Sequence, residues 1–165
     1  MKLKSLMTAA ALACVALSAI ADGAIDVQDA WARATVKGQM ATGAFMTLTA
    51  KDGAKLVGAA SPVAGVAQVH EMKMEGGLMK MNEVKGGLDL PAGKAVALKP
   101  GGYHIMLMDL KEQVVKDSTV PLTLTFKDAK GVESKLELKL PVATTAPGAM
   151  AGMDHSKHSM PAAKP

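Results

Sequence analysis

The chain has 165 residues, of which 49% are hydrophobic and 21% charged, and its formal net charge at pH 7 is +4. This length suits one domain with a sizeable core rather than two domains. The lysines are scattered and aromatic residues make up only 2% of the chain, a composition that argues against a nucleic-acid-binding surface. Cys14 is the only cysteine, which excludes internal disulfides and Cys-rich zinc sites.

The first 21 residues have the pattern of a secretory signal peptide. Lys2 and Lys4 supply a positive start, an apolar run extends from Leu6 to about Leu17, and Ala19-Ile20-Ala21 provides a small-x-small cleavage pattern. The run is too short for a comfortable membrane span, and no later segment reaches the roughly 18 apolar residues that a span needs. We therefore predict export to the periplasm and a mature chain without cysteine. Lipidation of Cys14 is the alternative, because the residues before it faintly resemble a lipoprotein box.

Along the rest of the chain, short segments of alternating or β-branched residues are separated by turns rich in Gly, Pro and Asp. Strong turn signals include Lys51-Asp52-Gly53, Gly76-Gly77 and Pro100-Gly101-Gly102. Trp31 is expected at the core or its rim, and Met46 in the core. Roughly seven to nine strands with little helical period predict an all-β fold, an antiparallel sandwich or barrel. The predicted strands cover residues 25–34, 41–50, 55–61, 63–70, 78–84, 95–98, 103–108, 120–127 and 132–140.

The region from His70 to Met108 contains two of the four histidines and six of the thirteen methionines. In a strand over residues 103–108 the side chains alternate, so His104, Met106 and Met108 share one face. The simpler alternative is that methionine fills the core and histidine is only hydrogen-bonded. Most of these methionines, however, lie beside Lys, Glu, Gly or Asn, where a large side chain is hard to bury. Imidazole and thioether donors without thiolate suit Cu(I), so we predict a copper site.

The last part of the chain has a different composition. From Thr144 onward it consists mostly of Ala, Thr, Pro, Gly and Ser without apolar periodicity, which predicts a disordered tail over residues 143–165. Histidines and methionines nevertheless cluster there, which favours a flexible second copper site over a merely solvating segment. Such a site would either gather copper and pass it inward or bind Cu(II) through its histidines. The candidate tail ligands are Met150, Met153, His155, His158 and Met160.

The histidine and methionine spacing resembles the signature of the periplasmic copper chaperones called PCu(A)C. His70 is followed after ten residues by Met81, and after a longer spacer by His104-x-Met106. The words HEMKMEGGLMKM, LPAG and LKPGGYHIMLM also resemble that family, and the resemblance covers residues 26–142. The spacer before His104 is one residue longer than in the family pattern. Because the extra residue falls near the turn Lys85-Gly86-Gly87, Met79 is the alternative to Met81 as the first thioether.

The resemblance implies a cupredoxin-like Greek-key β-sandwich over residues 22–142, with His70, Met81, His104 and Met106 as Cu(I) ligands. It also implies delivery of copper to the copper A centre of cytochrome c oxidase, alongside a thiol-bearing assembly protein. The residue chemistry supports Cu(I) independently, since four neutral ligands penalise a monovalent ion less than a divalent one.

Other functions are compatible with parts of this sequence. A copper buffer or resistance protein using the same site and the tail is the main alternative. An enzyme is disfavoured because no nucleophile-elbow or metal-hydrolase motif is present, which leaves oxidase chemistry at an open copper position as the catalytic alternative. Blue-copper electron transfer is disfavoured because it normally needs a Cys thiolate that the predicted mature chain lacks. A metal-free adhesion or interaction sandwich is the remaining alternative.

Overall fold

The computed structural model describes residues 24–147, and every regular element in that range is a β-strand. No helix in this part of the chain has the length and apolarity needed to cross a membrane. The strands are β1 (Ile25–Arg33), β2 (Ala41–Ala50), β3 (Ala54–Ala60), β4 (Ala64–Glu75), β5 (Leu78–Glu83), β6 (Leu88–Leu90), β7 (Ala95–Leu98), β8 (Tyr103–Leu110), β9 (Thr119–Lys127) and β10 (Glu133–Ala143).

The strands follow the order β5-β4-β8-β7-β2-β1-β10-β9-β3-β6, and β8 also pairs directly with β2. Between β1 and β10 the connection is a short parallel pairing of Ala32 with Val142 and Arg33 with Ala143. On one side of this junction lies the half that contains β4, β5 and β8, and on the other lies the half that contains β9, β3 and β6. Buried side chains from both halves form one hydrophobic core, so the two halves pack as a β-sandwich.

Alternation along each strand determines which side chains enter the core. In β9, Val120, Leu122, Leu124 and Phe126 are buried, while the residues between them are half-buried or exposed. In β8, Ile105 and Leu107 are fully buried in the same core. Burying a side chain of this size contributes about 1.5–3 kcal/mol. The same alternation turns His104, Met106 and Met108 towards the outer face of their sheet.

Most sequence-predicted strands are present, with a few differences. The hairpin of β9 and β10 is continuous in register from Thr119 opposite Pro141 to Lys127 opposite Glu133. Residues 88–90 form β6, which was not predicted, and this raises the number of strands to ten. The β4 strand continues five residues beyond His70, to Glu75. Besides the β1–β10 contact, β7 and β8 also pair in parallel, through Leu98 and Tyr103.

Two individual burial predictions are confirmed. Met46 is only 2% exposed and lies in the main core. Trp31 is also buried, but it packs outside that core, with its ring centroid 4.8 Å from that of Phe45. The aromatic pair therefore forms a second, smaller cluster at the side of the sheet where His104 lies, since the Phe45 and His104 centroids are 6.3 Å apart.

Candidate metal centre

His70 and His104 face each other across two antiparallel strands. His70 in β4 is directly opposite His104 in β8, and the two ring centroids are 6.0 Å apart in an edge-to-face arrangement. Because Ile105 enters the core, its neighbours His104 and Met106 project to the outer face of the sheet. The strand pairing therefore brings together two imidazoles that are far apart in the sequence.

The orientation of the His104 ring is fixed by the turn that precedes its strand. His104 is 7% exposed, and its Nδ1 lies 3.1 Å from the carbonyl oxygen of Gly102. A carbonyl oxygen can only accept, so Nδ1 carries the proton and donates it. The lone pair of Nε2 is then available to a metal ion, as in many histidine sites whose second nitrogen is held by a backbone carbonyl.

His70 has a free nitrogen as well. Its Nε2 lies 3.3 Å from Oε1 of Gln68, and the Gln68 amide nitrogen donates to Glu83 at 3.2 Å, which fixes the amide orientation. Nε2 of His70 is thus the donor, and Nδ1 keeps its lone pair. Nδ1 is buried and has no hydrogen-bond partner. A buried polar atom without a partner is destabilising, so a ligand at Nδ1 would satisfy it.

Burial lowers the pKa of His70 below its ordinary value of 6.5, and the neighbouring His104 lowers it further. Glu83 acts in the opposite direction but does not cancel these effects. The neutral imidazole is the form that binds metal ions, so the local environment favours the ligand form of His70.

The two predicted thioethers lie beside a cleft of about 260 Å³ on this outer face. Met106 is two residues along β8 from His104, and Met81 is in β5, opposite Met72 of β4. Met81, His104 and Met106 all line the cleft. His70 does not line the cleft; it adjoins the group through its edge-to-face contact with the His104 ring.

The structure thus places the four predicted core-site residues on one face of one sheet, and their role as copper ligands remains a prediction. Met79, the alternative thioether, lies opposite Met74 and does not line the cleft, so the arrangement favours Met81. Met108 is half-buried on the same strand as Met106. The signal peptide and the five tail candidates lie outside residues 24–147, so their predictions stay as they were.

Three residues of this face were not identified from the sequence. Met72 lines the cleft, and the repeated pattern His-x-Met at His70 and at His104 was a signal for it. Arg33 and Phe45 also line the cleft, and the Arg33 guanidinium carbon lies 5.3 Å from the centroid of the Phe45 ring. Nothing local in the sequence indicated that β1 and β2 would contribute to the site.

The donor set favours a soft ion of low charge. Within residues 24–147 there is no group of three or more His, Cys, Asp and Glu side chains that could hold a metal ion. The thioethers that line the cleft are soft, neutral ligands, which suit Cu(I) better than hard divalent ions.

Comparison with known proteins identifies the family. A family model described as "Putative lipoprotein LpqE-like" matches residues 25–142, which is most of the chain. The chain belongs to the LpqE-like family. A curated relative from Leifsonia xyli subsp. xyli, described as "Putative lipoprotein Lxx21020", is 39% identical over 108 residues, which are 66% of this chain and 64% of the relative. The match thus spans slightly less than two thirds of that relative's length.

Solved structures show the same fold. The Cu(I) form of DR1885 from Deinococcus radiodurans is 31% identical, with a TM-score of 0.53, over 74% of this chain and 79% of that one. The copper-bound PCuAC domain from PmoF2 is 22% identical, with a TM-score of 0.54, over 73% of this chain and 95% of that one. The prediction of an all-β, cupredoxin-like fold is confirmed, and the fold is that of PCuAC domains.

Proposed function

We propose that this protein is a copper chaperone that binds Cu(I) through His70, Met81, His104 and Met106. The observation that carries the proposal is the buried, unpartnered Nδ1 of His70 beside the His104 ring, which in turn lines a cleft together with Met81 and Met106. Copper-bound structures with the same fold support it, because they show that the fold can hold copper. The protein acts by binding and transfer rather than by catalysis.

Release of the ion follows from the exposure of its ligands. Met81 is 47% exposed, whereas His104 is 7% exposed. A thiol of the acceptor can therefore displace Met81 first and the buried imidazole last, in a series of ligand exchanges. Each exchange breaks one bond to copper and forms another, so the ion moves without being released into solution. A closed cage of thiolates would hold Cu(I) more firmly and slow this transfer.

The proposed recipient is the copper A subunit of a cytochrome c oxidase or a thiol-bearing assembly protein. This requires a location outside the cytoplasmic membrane, and the predicted signal at residues 1–21 would provide it. The family model and the curated relative are both described as lipoproteins. These descriptions support an envelope protein and are consistent with the alternative in which the signal is cleaved before Cys14 and its thiol is lipidated. Replacement of Cys14 by Ser would then move the protein from the membrane fraction to the soluble fraction.

A copper buffer is the second candidate function, and the histidine- and methionine-rich tail favours it. Buffer and chaperone differ in phenotype. Deletion of a chaperone lowers oxidase activity when copper is scarce, whereas deletion of a buffer increases copper sensitivity when copper is abundant. Complementation with the chain lacking residues 148–165 separates them further. A chaperone should still restore oxidase activity, and loss of rescue under those conditions would favour the buffer.

A further inference from the structure

The outer face of the β4–β5 hairpin carries four methionines in two cross-strand pairs. Met72 lies opposite Met81, and Met74 lies opposite Met79. The alternation of β4 places Met72 and Met74 on the face of His70. Directly opposed residues have Cβ atoms about 5 Å apart, and the flexible Met side chain can reach the neighbouring pair. We refer to these four residues as the methionine ladder.

Packing does not explain the methionine ladder. Met74 is 65% exposed and Met79 is 49% exposed, and all six residues of β5 are exposed. The other face of the hairpin carries ion pairs, Lys73 with Glu71 and Lys80 with Glu75. A hairpin held by backbone pairing and surface charges needs no methionine for its fold. Exposed methionine is also open to oxidation to the sulfoxide, so its sulfur has a cost that a leucine would avoid.

The methionine ladder runs from solvent to the metal cleft. Its outer pair, Met74 and Met79, flanks the turn at Gly76-Gly77, and its inner pair, Met72 and Met81, lines the cleft. The inner pair thus shares the cleft with His104. Four neutral sulfur atoms in consecutive pairs form a set of soft ligands, which suits a soft monovalent cation such as Cu(I).

We propose that the methionine ladder holds a second Cu(I) site, formed by the thioethers of Met72, Met74 and Met79, and that this site loads the histidine site by ligand exchange through Met81, which the two sites share. Each step breaks one copper–sulfur bond and forms one copper–sulfur or copper–nitrogen bond, and copper stays monovalent throughout. The loading role rests on the proposed function of the histidine site. Binding of Cu(I) to the outer pair does not, and it can be measured separately.

The test is an anaerobic Cu(I) titration of the chain from residue 22 onward, with ¹³C-labelled methionine methyl groups observed by NMR. Each methyl reports on its own sulfur, so the ladder, the histidine site and the tail are distinguished. We expect the Met106 methyl to shift during the first equivalent and those of Met74 and Met79 to shift during a later one. The Met74 and Met79 shifts should persist in His104→Ala. The methyl of Met46, buried in the core, should not move.

The double variant Met74→Leu, Met79→Leu keeps an apolar surface of similar volume and removes only the sulfur. We expect this variant to lose the later Cu(I) binding event and to keep the Met106 shift at equilibrium. Its histidine site should take up Cu(I) from a Cu(I)–chelator complex several-fold more slowly. Leu78→Ala is the matched control, because Leu78 is an equally exposed residue of the same hairpin, 68% accessible, without sulfur. It should load at the wild-type rate.

The contradicting outcomes separate the two proposals. If the methyl signals of Met74 and Met79 do not shift during the addition of three equivalents of Cu(I) while that of Met106 does, the second site is refuted and the histidine site is unaffected. If the methyl signals of Met74 and Met79 shift and that of Met106 does not, the ladder site is supported and the histidine site is refuted. Wild-type loading by the double leucine variant would show that the face is an apolar surface without a role in copper entry.

Discussion

At the scale of single residues, Arg33 gives the cleft its electrostatic character. It is the only charged side chain among the described residues that line the cleft, and it is held beside the rings of Phe45 and Trp31, at 5.3 and 6.0 Å. Because Coulomb repulsion scales with the charge of the ion, the guanidinium penalises Cu(II) about twice as much as Cu(I). Arg33 therefore adds a preference for the monovalent ion to that of the thioethers.

Replacing Arg33 by Gln should strengthen Cu(II) binding more than Cu(I) binding, by about threefold to tenfold in the ratio of the two dissociation constants. Chelator competition, under oxygen-free conditions for Cu(I), measures both values. Arg33→Lys keeps the charge and serves as the control. Equal changes for the two ions would exclude the electrostatic role.

His70 makes the stability of the metal-free protein depend on pH. Its folded-state pKa is lowered by burial and by His104, while its unfolded-state pKa is the ordinary 6.5. As pH falls through 6.5, the unfolded chain takes up the proton first, so unfolding becomes easier. Urea unfolding of the metal-free protein should show a loss of stability between pH 7.5 and 5.5. In His70→Gln that loss should be smaller, and an unchanged loss would assign it to other groups.

At the scale of elements, the strands β2, β4, β5 and β8 build the site, and Gly43 in β2 leaves room for the ring of Phe45 on the same strand. Gly43 pairs with Met106, and a Cβ added at Gly43 would lie 2.6 Å from the ring carbon Cζ of Phe45. Phe45 is 5% exposed and packed against Trp31, so its ring cannot move freely. A larger residue at position 43 would therefore disturb the aromatic packing beside His104.

Gly43→Ala should weaken Cu(I) binding about tenfold, equivalent to ~1.4 kcal/mol. Gly58→Ala in β3 is the matched control, because its added Cβ would meet Thr125 at an ordinary 3.6 Å. Competition titrations of both variants, with thermal unfolding to confirm the fold, make the comparison. Equal affinities in the two variants would contradict a role for the Phe45 packing.

The sequence predicted these elements better than their arrangement. Alternation in residues 103–108 correctly assigned His104 and Met106 to the face opposite Ile105, because period-two patterning is a local property. The direct pairing of His70 with His104 depends on the register between distant strands, which no local pattern encodes. The three-residue β6 was missed for a related reason, since LDL between two turns is too short to show alternation.

At the scale of the whole molecule, the two faces of the β4–β8 sheet have different roles: one stabilises the fold and the other carries the candidate metal ligands. Its inner face contributes Ile105 and Leu107 to the core shared with the β9–β10 hairpin, and its outer face carries the histidines and thioethers. Neighbouring residues of one strand therefore have different roles.

Leu107→Ala should lower the free energy of unfolding by about 2–5 kcal/mol, because Leu107 is fully buried. It should leave the copper stoichiometry of the folded protein unchanged. Met106→Leu, one residue away on the outer face, should cost less than about 1.5 kcal/mol and weaken Cu(I) binding strongly, since it removes a sulfur ligand at similar volume. Chemical denaturation and copper titration of both variants test the separation. Similar effects of both changes on both properties would refute it.

The central claim, that the folded domain itself holds Cu(I), is tested most directly by an anaerobic titration against a chromophoric chelator. The titration compares the protein with and without residues 148–165. This truncation leaves β10 complete, because that strand ends at Ala143. We predict one tightly bound Cu(I) in the tail-less protein and its loss in His104→Ala. Absence of tight binding without the tail, with all copper following residues 148–165, would contradict the four-ligand site and leave a tail-based buffer in its place.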